Sequence, residues 1–225
     1  MIKLSRSKIE LSIDCPRCFW LDMRHKVSRP PGFPFTLNNA IDFLLKREFD
    51  EHREKGTAHA IIKENKLDAI PYNCPQIDAW RHNFTGVQIE HAPTGFLVYG
   101  AVDDIWINPK KELIVVDYKA TGSQEHKIYD SYKRQMEIYQ WLLSHQGMPV
   151  SKTGYFLFAR ANKDKGFKDH KLSFDVFLEA LAGDYSWVEG AIKEAKRIYD
   201  LPAAPKATDD CEYCPYVTRR NSVAP

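Results

Sequence analysis

Apolar positions along this chain fall into a few distinct rhythms. Between Thr36 and Gly56 they recur every three or four residues, at Leu37, Ile41, Leu44, Leu45 and Phe49. This predicts an amphipathic helix with Thr36 as its N-cap and Gly56 as its stop. A second helical rhythm passes through Met136, Tyr139, Leu142 and Leu143, over about Ser131 to His145, and a third predicts a long helix over roughly Phe174 to Tyr199. Two strand-like runs within Tyr99 to Gly122 flank an Asn108-Pro109-Lys110-Lys111 turn, as expected of a hairpin. The run from Thr153 to Arg160 reads as a buried strand. Ser7 is expected to cap a short helix leading into "CPRCFWLDM", and a Pro-rich connector follows from Arg29 to Pro34. The weakly patterned stretch from Asn65 to Glu90 predicts one short helix around "QIDAWRHNF". The resulting order, α–β–β–α–β–α, predicts an α/β fold with a mixed central sheet flanked by helices.

Composition narrows the picture only a little. The 225 residues suffice for one sizeable domain with a genuine core, and 44% apolar with 28% charged residues is ordinary for a globular protein. A formal net charge of +2 leaves any nucleic-acid contact to local patches. No apolar run reaches membrane-spanning length and "MIKLSRSKIELS" lacks a signal-peptide core, so a cytoplasmic protein without membrane attachment is expected. A reducing compartment favours metal ligation over disulfides for the five cysteines.

The chemistry concentrates in the hairpin. Asp117 and Lys119 alternate on one strand and so share a face, and Asp117 ends the apolar run Leu113 to Val116. Asp103 on the preceding run comes close if the hairpin closes, whereas Asp104 points the other way and reads as structural. Paired carboxylates suit a hard cation such as Mg²⁺ or Mn²⁺. A neighbouring lysine orients a metal-bound water or offsets charge on a phosphate. Gln135 and Tyr139 lie four apart on the next helix and share a face. Packing accounts for the tyrosine, but a core-facing amide needs hydrogen-bond partners.

"GAVDDI", "VVDYKAT" and "QMEIY" resemble successive motifs of the RecB-like branch of the PD-(D/E)XK nuclease superfamily, Gly-x-x-Asp, Asp-x-Lys and Gln-x-x-x-Tyr. The resemblance implies a restriction-endonuclease-like core, one nuclease domain over residues 1–225, Asp103 and Asp117 as metal ligands and Lys119 as the catalytic lysine. It implies Gln135 and Tyr139 as residues bordering the DNA and the active site, with the Tyr118 carbonyl as a further metal ligand. In place of the family's metal-binding histidine, "LNNAIDFLLK" carries Asp42, itself a competent ligand for Mg²⁺ or Mn²⁺. Glu48, nearer the centre of the apolar stripe, is the rival.

Cys15 and Cys18 form one C-x-x-C, Cys211 and Cys214 another. Two such pairs in a reducing compartment signal a four-thiolate metal site, which would staple residues 1–35 and 200–225. "CPRCFW" and "CEYCPY" are similar to the cluster-binding segments of iron–sulfur RecB-like nucleases, including CRISPR-associated exonucleases, and imply an iron–sulfur cluster. Those relatives use one N-terminal and three C-terminal cysteines. The two-plus-two arrangement here also suits zinc. Cys74 has no partner in the pattern and reads as structural.

Basic residues with interleaved aromatics suit a single-strand channel. They occur at Arg160, Lys163, Lys165, Lys168 and Lys171 beside Phe167, and at Lys127, Lys133 and Arg134 around Tyr129 and Tyr132. The expected activity is Mg²⁺- or Mn²⁺-dependent hydrolysis of DNA, exonucleolytic or end-processing, on single strands or free ends. With no helicase motif in the chain, unwinding is left to a helicase or recombination partner. The alternative is a catalytically weak or inactive nucleic-acid-binding module on a nuclease fold, stapled by zinc.

Overall fold

A computed structural model describes residues 1–32, 36–123 and 127–223, with Lys168 by its backbone only. In chain order the elements are β1 (Ile2–Ser5), α1 (Arg6–Asp14), α2 (Pro16–His25), α3 (Thr36–Lys55), α4 (Ala60–Glu64), β2 (Ile70–Pro71), α5 (Ile77–Arg81), β3 (Val87–His91) and β4 (Phe96–Gly100). There follow β5 (Asp104–Ile107), β6 (Leu113–Thr121), α6 (Asp130–Ser144), β7 (Thr153–Ala161), β8 (Phe174–Ala182), α7 (Val188–Asp200) and α8 (Tyr213–Val223). The fold is mixed α/β, with a central sheet flanked by helices and a four-cysteine cluster drawn from the terminal segments. Among the described residues no helix is long and apolar enough to cross a membrane.

Internal contacts define two units, Met1–Phe33 with Glu90–Val98 and Ser186–Pro225, and Pro34–Ile89 with Tyr99–Tyr185. The second unit carries the five-stranded sheet, in the order β2-β5-β6-β7-β8. Only the β6–β7 pair is parallel. Parallel neighbours need a crossover, and α6 supplies it. Every residue from Leu113 to Tyr118 is buried, as expected of a strand covered on both faces. On one side Phe49 of α3 packs with Trp106, Val116, Tyr118 and Leu157, its ring stacked 5.6 Å from that of Trp106. Burying each such side chain contributes about 1.5–3 kcal/mol.

In the first unit, α1 and α2 pack against α7. Trp20 Nε1 donates to the Leu201 carbonyl at 3.0 Å, and the Phe96 and Tyr199 rings meet edge to face. His91 pairs with Glu189 at 3.0 Å.

Three expectations need correction. The predicted helix from Phe174 to Tyr199 is instead strand β8 followed by helix α7. Residues 174–182 pair with β7 along their whole length, from Ala161↔Phe174 to Thr153↔Ala182, so cross-strand pairing overrides the helical preference of "LEALA". The first helix is capped by Ser5, whose hydroxyl accepts from the Lys8 N–H at 3.3 Å, and not by Ser7. In α3 the inward face is Ile41, Leu45, Phe49 and Arg53, while Leu37 and Leu44 are exposed. The stop is as expected: Gly56 follows α3 at φ +62°, where glycine is favoured. The short helix α5 and the helix α6 also lie where the pattern put them. Of the Pro-rich connector, residues 33 and 34 lie outside the described residues.

Candidate active site and cysteine cluster

The β5–β6 ladder ends at the pair Asp104↔Val116. One residue beyond it, the Asp103 side chain takes over the ladder's role and accepts from the Tyr118 N–H at 2.9 Å. This turns Asp103 toward the half-buried end of β6. Asp117 lies on β6 and is fully buried. Its Oδ1 accepts from Gln135 Nε2 at 2.8 Å, and its carboxylate forms an ion pair with Lys119. The oxygen that the Lys119 ammonium meets is Oδ2, so the two carboxylate oxygens have separate partners. Burial, reinforced by Asp103 and opposed by Lys119, raises the Asp117 pKa to about 7.

Helix α6 contributes the rest of the site. Gln135 Nε2 also reaches the Tyr139 hydroxyl at 3.0 Å, and Lys119 Nζ reaches Gln135 Oε1 at 3.5 Å. The half-buried amide of Gln135 is therefore satisfied on both its nitrogen and its oxygen. Tyr139 fits there because Gly100 carries no side chain: a Cβ at that residue would stand 2.7 Å from the ring. This is the physical use of the glycine three residues before Asp103.

From α3, Asp42 faces the same region. Lys46, one helical turn on, donates to Asp42 Oδ2 at 2.7 Å and to Asp103 Oδ1 at 3.5 Å. Burial and the Asp103 charge raise the Asp42 pKa, with Lys46 opposing. Sequence reasoning missed Lys46, although its i+4 spacing from Asp42 was the available signal. Glu48, the rival to Asp42, bonds His59 at 2.8 Å.

Asp104, at the opposite phase of the strand, is fully buried among cations and donors. Arg53 pairs with it, as does Arg81 at 2.9 Å, and the Tyr118 hydroxyl donates at 2.8 Å. Its carboxylate is thus spent on structure, as the strand phase predicts. The hydroxyl of Tyr118 points to Asp104 while its N–H serves Asp103, so this one residue links both acids.

A divalent ion fits the donor set of the acidic site. Three carboxylates supply hard oxygen ligands, and ammonium groups already stand against them as cations, Lys46 between Asp42 and Asp103 and Lys119 on Asp117. The spacing is open: among the described residues, only the four cysteines bring three or more such ligand atoms within 4.8 Å of one another.

Beside Lys119 lies a cavity of about 330 Å³ lined by Asn38, Thr121, Lys127, Tyr129, Tyr132 and Phe158. The Lys119 ammonium sits 4.6 Å from the centre of the Tyr132 ring, which meets Tyr129 edge to face. Lys127 lies near the Tyr129 ring, and Lys133 pairs with Asp130. In the β7–β8 connection, Lys163, Lys165, Lys171 and Phe167 are exposed, while Arg160 pairs with Asp175 at 3.3 Å. The Lys168 side chain lies outside the described residues.

In the first unit the four cysteines converge. Cys18 Sγ lies 3.7 Å from Cys211 Sγ and 3.5 Å from Cys214 Sγ, and all four sulfurs lie within 4.8 Å. Cys15 opens helix α2. Burial pushes its thiol up, but N–H donors of Cys18 and Thr208 and the neighbouring thiols outweigh this and lower it to about 6. Burial and its sulfur neighbours raise Cys214. Such a quartet, with Cys15, Cys18 and Cys211 buried, offers the ligand set of a metal-binding site. Cys74 is buried apart from it, in the other unit.

Among solved structures, the chain is similar to SSO0001, with 14% identity, a TM-score of 0.48, and coverage of 100% of this chain and 86% of that one. It is also similar to an alkaline exonuclease (LHK-Exo) from Laribacter hongkongensis, with 11% identity, a TM-score of 0.45, and coverage of 87% and 85%. No curated protein matches it. Residues 28–219 match the PD-(D/E)XK nuclease superfamily, and the chain belongs to that superfamily.

Proposed function

We propose that this protein is a metal-dependent deoxyribonuclease of the RecB-like branch, acting as an exonuclease or end-processing enzyme on single-stranded DNA. The observation that carries the reading is the linked set Asp103, Asp117, Lys119, Gln135 and Tyr139 around the end of β6. Asp42, Asp103 and Asp117, with the Tyr118 carbonyl, would hold Mg²⁺ or Mn²⁺. When bound, the metal would lower the pKa of its water and stabilise charge on the phosphate. Lys119 would orient the attacking water and offset the developing negative charge. Gln135 holds Asp117 in position and Tyr139 holds Gln135, which makes these two positioning residues. The aromatic cavity beside Lys119 supports an unpaired substrate, since a base can stack there only when it has left the duplex.

In this reading residues 1–225 work as one nuclease domain, with 1–35 and 200–225 as its metal staple. It acts in the cytoplasm, beside a helicase or recombination partner that supplies unwound ends. One observation favours the second reading, a weak or inactive nucleic-acid-binding module: Lys46 already neutralises Asp42 and Asp103. Degradation of end-labelled single- and double-stranded DNA with Mn²⁺, compared with EDTA, separates the two. Metal-dependent shortening of the single strand supports the nuclease, and retention without cleavage supports the binding module.

A further inference from the structure

The sulfur spacing in the cysteine site discriminates between its candidate metals. Four thiolates on one tetrahedral zinc, each at about 2.3 Å, lie about 3.8 Å apart along the tetrahedron's edges. The observed 3.5 and 3.7 Å separations, with every sulfur within 4.8 Å of the others, match that edge. An iron–sulfur cube places each cysteine on a different iron at the outside of an inorganic core, which spreads the sulfurs to roughly 6 Å. A two-iron cluster keeps two pairs close but holds the pairs apart in the same way. The quartet here is too tight for either.

We propose that Cys15, Cys18, Cys211 and Cys214 hold a single tetrahedral Zn²⁺, with Arg29 as its outer-shell partner, and that no iron–sulfur cluster forms in this chain. A tetrathiolate zinc carries two net negative charges in a buried site, and Arg29 is built to meet them. Its Nη2 donates to Cys211 Sγ at 3.6 Å. The same guanidinium pairs with Asp14 and lies 4.6 Å from the centre of the Tyr213 ring. It is thereby fixed to a residue near each cysteine pair. Such outer-shell donors hold ligands in orientation, and their loss typically costs 10–100-fold in metal affinity. Zinc is preferred to a lone ferrous ion because it binds the same thiolates more tightly. The inference does not depend on the nuclease reading, since these residues stand in the other unit.

The test begins with full-length wild-type protein, expressed with supplemented iron and purified without oxygen. Elemental analysis and sulfide assay should give one zinc per chain, negligible iron and sulfide, and a colourless protein. X-ray absorption at the zinc edge should give four sulfur neighbours at about 2.3 Å. Iron with inorganic sulfide and blue-region absorbance would overturn the proposal, as would one iron without sulfide. If neither metal is found, the apoprotein is offered zinc or iron plus sulfide, and failure to take up one zinc also refutes it. For Arg29, the readout is zinc release to a chromogenic chelator. R29Q should hold zinc at least about 10-fold more weakly than wild type, with R29K between them. Equal retention in all three would remove Arg29 from the site. DNA cleavage is assayed separately, so failure here leaves the nuclease reading standing.

Discussion

The acidic site, openly spaced, and the cysteine site, tightly gathered, both present cation ligands, yet they are held by different means. The carboxylates come from strand β6, the bend before β5 and helix α3, where backbone and side-chain donors position them: Tyr118 for Asp103, Gln135 for Asp117, Lys46 for Asp42. Hydrogen bonds and ammonium groups from the chain itself offset their repulsion. The thiols meet fewer donors, the N–H groups of Cys18 and Thr208 on Cys15 and the Arg29 guanidinium on Cys211. Cys18 and Cys211 are 193 residues apart, and α8, which carries Cys214, has no buried residue. On the proposed function, one set is preorganised for a metal that comes and goes with the reaction. On the zinc proposal, the other is held assembled by its metal. Removing metal should therefore cost activity at the first site and structure at the second.

The sharpest break of this comparison is at the acidic site. D117N and K119A should each reduce Mn²⁺-dependent cleavage by on the order of 100- to 1000-fold or more, with melting temperatures near wild type. Wild-type turnover by either clean variant would sink the catalytic assignment. On the other side of the comparison, serine at any one of Cys15, Cys18, Cys211 or Cys214 should cause the same loss of bound metal and similar loss of thermal stability, because all four share one site. C74S should change neither by a comparable amount. Unequal effects among the four would show that they do not act as one ligand set.

Two neighbouring acids sharpen the contrast within a single strand. D104N leaves Arg53 and Arg81 facing a neutral amide in the core, and should destabilise by about 3–5 kcal/mol in a denaturant titration. D103N should instead lose cleavage while keeping most of its stability. The reverse pattern would place the functional acid on the other face of the strand. The mildest effect is expected at Asp42. D42A removes one of several oxygen ligands, so activity should fall at low Mn²⁺ and partly return at high Mn²⁺. E48A should resemble wild type, since Glu48 is engaged with His59.

Much of the acidic site was legible because it is local. Alternation places Asp117 and Lys119 on one face, helical spacing joins Gln135 to Tyr139, and a marked turn folds β5 back on β6. What could not be read was decided by partners distant in the chain. Residues 174–182 carry good helix formers, and only the presence of β7 makes them a strand. The apolar stripe of α3 misled because its inward face includes Arg53, a charged residue whose burial makes sense only beside Asp104. Lys46 was overlooked because an exposed helical lysine and one standing between two carboxylates look alike in sequence. The role of Gly100 needed the position of Tyr139, 39 residues later.

The separation of the two cysteine pairs has a consequence in time. A ribosome adding 5–20 residues per second takes about 10–40 s to travel from Cys18 to Cys211. During that interval every residue of the acidic constellation, through Tyr139, has already been synthesised, while Cys15 and Cys18 wait with half a coordination shell. A chain interrupted before Cys211 can carry all the acidic residues and still never close the clasp. Metal occupancy of the cysteine quartet would thus report that synthesis has passed Cys214, separating such chains from fragments that stop short of it.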